Sequence, residues 1–215
     1  MAKPMTLLNV WLEREHAMVG VDTAASFTRP DGSPLEVEGY AEGASFDITK
    51  LVPIAHLNAV LSARGIAAFL PQVFFLIQMK PFDTVDDVFE QMPQVLRQCF
   101  AGLEHMARQQ GVLADPRQEV VLVGWSARQA RMRGVYYVQH TVDAGFEGAE
   151  IDEVLICPWD DDAQGCPEDP VDRDAMLRLM RAQVADARER HPAVAAGGRF
   201  VVAEITPLSI NVRAY

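Results

Sequence analysis

The stretch Thr6–Asp22, TLLNVWLEREHAMVGVD, decides the fold of this chain. Two apolar runs, Thr6–Leu12 and Ala17–Val21, flank a short polar segment, which is typical of two strands joined by a tight turn. Both runs are almost continuously apolar, as expected for a sheet that is covered on both faces. The hairpin returns its polar ends, Thr6 and Asp22, to one edge of that sheet. These residues can be the ordinary polar ends of a buried hairpin, or the beginning of a functional site.

The composition indicates a single globular domain. The chain has 215 residues and is 49% hydrophobic, which is enough for one domain, residues 1–215, with a substantial core. A net charge of −11 argues against a nucleic-acid partner or an anionic membrane. No apolar run reaches the roughly 18 residues that cross a bilayer, and the N-terminus lacks an apolar signal core. We therefore expect a cytoplasmic protein, whose three cysteines are free thiols.

The remaining pattern predicts strands, two helices, strands, one helix and strands, in that order. Turn residues such as PDGSP predict a surface insertion at about residues 26–43. Ile66–Met79 is apolar almost all round, which predicts a buried helix. Apolar residues three and four apart predict an amphipathic helix at Val85–Gln110. The other predicted elements are strands at Phe46–Val52 and Ala55–Leu61 (parted by Pro53), Glu119–Trp125, Gly134–Gln139, Glu153–Ile156, Arg199–Ile205 and Leu208–Val212, and a helix at Asp172–Arg190.

This order is not a regular alternation of strands and helices, which disfavours a doubly wound parallel sheet. We predict an α+β fold, namely a four-layer α-β-β-α sandwich of two antiparallel sheets flanked by helices. Helices on both outer faces would cover each sheet and explain the unbroken apolar strands. In this arrangement, the strands that begin at Thr6 and at Arg199 should lie in the core rather than at an exposed edge.

Several segments, taken in order, resemble the proteasome β-subunit family of N-terminal-nucleophile (Ntn) hydrolases. The chain is similar to a divergent bacterial-type member, and the resemblance implies the same sandwich fold. Thr6 and Asp22 are sixteen residues apart, as are the threonine and the aspartate of the family. The segments that resemble the family are Thr6–Val10 for the threonine strand, Val19–Thr23 for the aspartate strand, Thr49–Ile54 for the lysine segment, Ser62–Gly65 for the oxyanion glycine, and Val121–Trp125 with Tyr136–Val138 for the middle strands.

The resemblance implies catalytic roles for Thr6, Asp22, Lys50 and Gly65. A threonine hydroxyl is a poor nucleophile until a base takes its proton, and in this family the base is the threonine's own α-amine, with an ordinary pKa of about 7.7–8.0. A nearby lysine lowers the pKa of the hydroxyl, an aspartate holds that lysine, and a backbone N–H stabilises the oxyanion. A lone charge on a strand usually points to solvent. The resemblance instead predicts a partly buried Asp22–Lys50 ion pair close to the Thr6 hydroxyl.

Two features depart from the family pattern and leave two hypotheses open. Five residues precede Thr6, so that its nitrogen is an amide while Met5 is attached. The family's aspartate and serine before a Gly-Gly pair are replaced by Ala193 and Ala196. These departures favour a catalytically silent or unmatured subunit that serves in a ring or an assembly. The alternative is a threonine peptidase or amidohydrolase that uses Thr6 after removal of residues 1–5.

The resemblance also implies a homo-oligomer, as a ring or stacked ring, with a peptide substrate if the protein is active. We predict no cofactor and no metal site, because the acidic run Asp160–Asp162 lacks the alternating spacing of a calcium loop. We expect His56 to be a satisfied core histidine. The basic turn that contains Arg128, Arg131 and Arg133 is expected to pair with an acidic patch on a neighbouring subunit.

Overall fold

The computed structural model describes residues 6–26, 45–109, 111, 117–141, 145–158, 169–190 and 197–215. The strands are β1 (Leu8–Leu12), β2 (Ala17–Asp22), β3 (Ala24–Ser26), β4 (Ser45–Asp47), β5 (Leu51–Ile54), β6 (Ala59–Arg64), β7 (Gln118–Ser126), β8 (Arg131–Gln139), β9 (Glu147–Glu150), β10 (Val154–Cys157), β11 (Phe200–Thr206) and β12 (Ser209–Ala214). The helices are α1 (Phe69–Met79), α2 (Val85–Gln109) and α3 (Arg173–Arg190). Residues 1–5, nearly all of the predicted insertion, Asp160–Asp162, Ala193 and Ala196 lie outside the described residues.

The strands form two five-stranded antiparallel sheets and one short ribbon. The first sheet has the order β10-β1-β2-β11-β12, the second has the order β5-β6-β7-β8-β9, and β3 pairs with β4 in the ribbon. Both β1 and β11 are interior strands, as predicted. The predicted first strand included Thr6, but the ladder begins two residues later, at Leu8.

Three buried apolar clusters separate four layers. One cluster fills the space between the two sheets, a second joins the outer face of the second sheet to α1 and α2, and a third joins the outer face of the first sheet to α3. The predicted α-β-β-α sandwich is therefore confirmed. Burying the apolar face of each helix against a sheet is what stabilises such a layered arrangement.

Alternation along β1 decides which side chains face the space between the sheets. Leu8, Val10 and Leu12 belong to the cluster between the sheets, whereas Leu7 and Trp11 pack toward α3. Successive residues of a strand point to opposite faces. If the alternation continues two residues before Leu8, Thr6 is expected on the inter-sheet face.

The predicted strand at Ala55–Leu61 is wrong in its first half. Ala55–Leu57 forms one turn of 3-10 helix, and β6 begins only at Ala59. The cause is Asn58, which adopts a left-handed conformation with a φ of 47° and reverses the chain between β5 and β6. His56 lies in this turn and is exposed. The expectation of a core histidine is therefore also wrong.

Proline and short polar strands account for the other differences. Pro53, expected to separate two strands, lies within β5, which is possible because β5 is at the edge of its sheet and needs no ladder N–H on its outer side. The strand Glu147–Glu150 was not predicted, because its sequence EGAE has neither apolar alternation nor β-branched residues. The ribbon formed by β3 and β4 was also missed.

Helix α1 is buried on one face only. Phe69, Val73 and Ile77 are completely buried against α2 and the second sheet, whereas Phe75 and Met79 are 60% and 66% exposed. The prediction that this apolar segment would be buried all round is therefore wrong. Across the described ranges, no helix combines the length and the apolar character needed to cross a membrane.

The basic turn between β7 and β8 is held by its own chain. Arg128 contacts Asp87, with 2.6 Å between Nη2 and Oδ1, and also Glu90. Arg133 contacts the buried carboxylate of Asp86 at 3.2 Å. Helix α2 supplies these three acids, so both arginines have partners within their own chain. The expected pairing with a neighbouring subunit stays a prediction.

Candidate active site

The ribbon of β3 and β4 brings the two charged residues of the predicted site together. The chain leaves the first sheet directly after Asp22 and returns to the second sheet at Lys50. The N–H of Ile48 donates to the carbonyl oxygen of Thr23 at 2.9 Å, and the Thr23 hydroxyl donates to Asp47 at 2.5 Å. These bonds close the base of the ribbon, so residues 28 positions apart meet at one end of the sandwich.

Lys50 and Asp22 form an ion pair that is shielded from solvent. The distance between Nζ and Oδ1 is 2.9 Å, and the side chains are 4% and 0% exposed. Lys50 Nζ also donates to the carbonyl oxygen of Ala24. The ion pair itself is confirmed, and it is buried more completely than expected. Its closeness to the Thr6 hydroxyl stays a prediction.

Asp22 also fixes the backbone on either side of the site. Its Oδ1 accepts the N–H of Leu7 at 2.9 Å, and its Oδ2 accepts the N–H of Gly197 at 3.2 Å. Leu7 follows Thr6 directly, so Asp22 anchors the residue next to the predicted nucleophile. The contribution of Gly197 was not predicted, although the Gly197–Gly198 pair was a visible signal. Gly197 adopts a φ of +110°, which favours glycine.

Burial moves both charged groups of this pair toward their neutral forms. Desolvation raises the pKa of Asp22, and it outweighs the opposing effects of the Lys50 charge and of the bonds from Leu7 and Gly197. Desolvation lowers the pKa of Lys50, the Asp22 charge opposes this, and the nearby Arg64 guanidinium lowers it further. A lysine with a lowered pKa is better suited to proton transfer near neutral pH than a solvated lysine.

Gly65 lies just beyond β6, two residues after Ala63, whose backbone contacts that of Lys50. The N–H of Ala63 donates to the carbonyl oxygen of Lys50 at 3.3 Å. Alternate residues of a strand present their N–H groups to the same edge, which places the N–H of Ala63 on the side of β5. The role of the Gly65 N–H as a donor to the oxyanion stays a prediction. Its φ of +124° is rare for any residue with a side chain.

We expect Gly65→Ala to lower the free energy of unfolding by roughly 2–3 kcal/mol. A Cβ atom at Gly65 would lie 2.4 Å from Gln118 Oε1 and 3.0 Å from the Arg117 carbonyl oxygen, in addition to the strain of a positive φ. Gly111→Ala is the matched control, because Gly111 has a φ of +73° but nothing within 4 Å of an added Cβ. Urea unfolding of both variants measures the difference. Equal losses would contradict the contact with Gln118.

Comparison with known proteins supports the fold. No protein-family model and no curated protein matches the sequence. Solved structures do match, among them the Gly-1 mutant of Anbu from Hyphomicrobium sp. strain MC1, a proteasome-like relative of the Ntn hydrolases, with a TM-score of 0.55. The alignment covers 97% of this chain and 86% of that one, at 14% identity. This chain has a proteasome-like fold. At such low identity the likeness concerns the fold alone, so the roles of individual residues stay predictions.

Cys157 carries another nucleophilic side chain near the beginning of β1. It pairs in register with Leu8, close to the beginning of β1. Burial raises the pKa of its thiol to about 11, so the thiolate is scarce at neutral pH. Because the thiolate is the reactive form, Cys157 is a poor nucleophile here. Thr6 is the better candidate.

The residue types predicted for the site are those that acyl transfer uses. A threonine, a buried lysine with an aspartate partner, and a backbone N–H are the groups that such a reaction needs. Among the residues described, no group of three His, Cys, Asp or Glu side chains could hold a metal ion. Sequence reasoning gave no role to Arg64, whose charge contributes to the lowered pKa of Lys50 and which pairs with Glu119 at 2.6 Å.

Proposed function

We propose that the protein is a latent threonine hydrolase with a proteasome-like fold, in which Thr6 becomes the nucleophile after removal of residues 1–5. The observation that carries the proposal is the buried Lys50–Asp22 pair, whose aspartate also holds the N–H of Leu7. A buried ion pair adds little net stability, because desolvation offsets its attraction. The pair therefore supports a chemical role better than a purely structural one.

The proposed reaction assigns one task to each group. The Thr6 hydroxyl attacks the carbonyl carbon of a peptide or amide, and the free α-amine of Thr6 takes the hydroxyl proton. In this proposal Lys50 acts as a cation that lowers the pKa of the hydroxyl, and Asp22, which also accepts the N–H of Leu7, orients Lys50. The N–H of Gly65 donates to the oxyanion. The proton passes to the leaving amine, and water then hydrolyses the acyl ester on Thr6.

The protein is inactive in this proposal while Met5 is attached. The nitrogen of Thr6 is then an amide, which has no basic lone pair to accept the proton. The alternative function, a silent ring or assembly subunit, also predicts that the full-length chain is inactive. The two functions differ in whether residues 1–5 are ever removed.

Intact-mass spectrometry of the purified protein, before and after incubation, tests the proposal. We expect a species that begins at Thr6, and we expect it to be absent from a Thr6→Ala control if the chain cleaves itself. A mass that always includes Met1 or Ala2, together with an engineered Thr6-initiated chain that hydrolyses nothing, would instead support the silent subunit.

We also propose that copies of this chain assemble with one another, because the outer helical layer exposes large apolar side chains. Phe75 and Met79 of α1 are 60% and 66% exposed, and Met106 of α2 is 43% exposed. Large apolar groups exposed together on a soluble protein often mark an interface. The proposed occupant is a second copy of the chain, in accordance with either function.

Replacing Phe75 and Met79 by glutamate is expected to weaken self-association by roughly tenfold or more, since charges would be buried in the interface. Sedimentation velocity over a range of concentrations measures the change. Leu208→Glu is the matched control, because Leu208 is 95% exposed on the turn between β11 and β12, away from the helical layer. A wild-type protein that stays monomeric at high micromolar concentration would contradict the proposal.

A further inference from the structure

Residues 64–66 form a corner at the end of β6, and a buried side chain from the neighbouring strand β7 holds this corner. Gln118, the first residue of β7, is 0% exposed. Its Oε1 accepts the N–H of Ile66 at 2.9 Å. The same oxygen lies only 2.4 Å from the position that a Cβ atom at Gly65 would take.

Gly65 and Gln118 are therefore matched to one another. A residue with a side chain would collide with the amide of Gln118, and it would also resist the φ of +124°. Conversely, without an acceptor at Oε1 the N–H of Ile66 loses its partner, which is costly for a part-buried donor. The corner then loses a side-chain hydrogen bond that favours its present conformation.

We propose that Gln118 is a positioning residue, which holds the corner from Arg64 to Ile66 so that Gly65 presents its N–H to the Lys50 edge of the site. Gln118 acts through Ile66 and touches no reacting atom. The catalytic part of this inference rests on the proposed hydrolase function, whereas the conformational part can be measured without any activity.

Two substitutions separate the hydrogen bond from the space that the side chain fills. Gln118→Met keeps a similar length and removes the acceptor. Gln118→Glu keeps an acceptor oxygen at the same place. Ser126→Ala is the matched control, because it removes a buried hydroxyl from the other end of β7 and far from Gly65.

Hydrogen exchange on the full-length chain, resolved to single amides by mass spectrometry, measures the corner. We expect Gln118→Met to speed exchange at Ile66 by roughly tenfold or more, and Gln118→Glu to keep it near the wild-type rate. In the Thr6-initiated form, Gln118→Met should lower kcat on a fluorogenic peptide by on the order of 100-fold with little change in KM, because a misplaced donor affects the transition state. Gln118→Glu should recover most of that loss.

The outcomes separate this inference from the proposed function. Unchanged exchange at Ile66 and unchanged kcat in Gln118→Met would overturn the inference, as would an equal loss of kcat in Ser126→Ala. Faster exchange at Ile66 with no turnover by any form, the wild type included, would uphold the positioning of the corner and overturn the hydrolase. If Gln118→Met fails to fold, Gln118→Asn takes its place, because its side chain is one methylene shorter and moves the acceptor oxygen away from Ile66. The same exchange and kcat measurements then apply.

Discussion

Lys50→Met is expected to lower the free energy of unfolding by roughly 3–5 kcal/mol, because it leaves the carboxylate of Asp22 buried without its counter-charge. Asp22 is 0% exposed, so water cannot take the place of the ammonium group without opening the structure. The two remaining N–H donors, from Leu7 and Gly197, compensate only in part. The melting temperature should fall by roughly 6–20 °C for a domain of this size.

Urea unfolding of Lys50→Met, Asp22→Asn and the double variant measures the effect as a double-mutant cycle. The double variant should lose less than the sum of the single losses, because neither charge is then buried alone. Arg108→Met is the control, since it removes an exposed pair with Glu104, in which Arg108 is 67% exposed. That change should stay within about 0.5 kcal/mol. If Lys50→Met left the free energy of unfolding unchanged, the pair would be solvated and its likeness to a catalytic pair would be superficial.

Turnover is expected only from a chain that begins at Thr6, and Thr6→Ala should abolish it. The full-length protein lacks the basic α-amine, and a general base is usually worth about 10²–10⁴ in rate. Lys50→Met should lower kcat of the Thr6-initiated form by a similar factor, because the hydroxyl then loses the adjacent cation. Fluorogenic peptides report these rates in the full-length, Thr6-initiated and variant forms.

Two further substitutions test the departures from the family pattern. Ala193→Asp with Ala196→Ser, in the Thr6-initiated form, should raise a weak activity, because polar partners would help to hold the amine and relay its proton. No response to these changes would favour the silent subunit. Robust, Thr6-dependent turnover by the uncleaved full-length protein would contradict the proposal that the chain is inactive while Met5 is attached.

The fold was predictable wherever apolar pattern and burial coincide. Every residue of β1 and β2 is buried, and the unbroken apolar runs of these strands predicted a sheet covered on both sides. The sequence did not predict elements whose conformation depends on a neighbouring strand or helix. Glu147–Glu150 is a strand because β8 offers it an edge, and Gly148 fits there against the ring of Tyr137. The exposed face of α1 carries Phe75 and Met79, so apolar composition alone did not predict that this face is exposed.

The site was predictable in its charged residues and not in its supporting contacts. Asp22 and Lys50 were found because the order of segments resembled a known family, and a buried charge needs a partner. The amide of Gly197 and the side chain of Gln118 come from remote parts of the chain, and hydrogen bonds of this kind follow no local period. Only the packing of β7 beside β6 brings Gln118 to Gly65.

The ribbon of β3 and β4 makes the distance between Asp22 and Lys50 independent of the length of the segment that joins the two strands. The bonds of Thr23 with Ile48 and Asp47 fix the distance between the charges, whatever number of residues joins Ser26 to Ser45. Closing a longer loop costs only about 0.6 kcal/mol for each doubling of its length. We therefore expect that an epitope, a fluorophore acceptor or a foreign binding module inserted between Ser26 and Ser45 leaves the pKa and the ion pair of Lys50 unchanged.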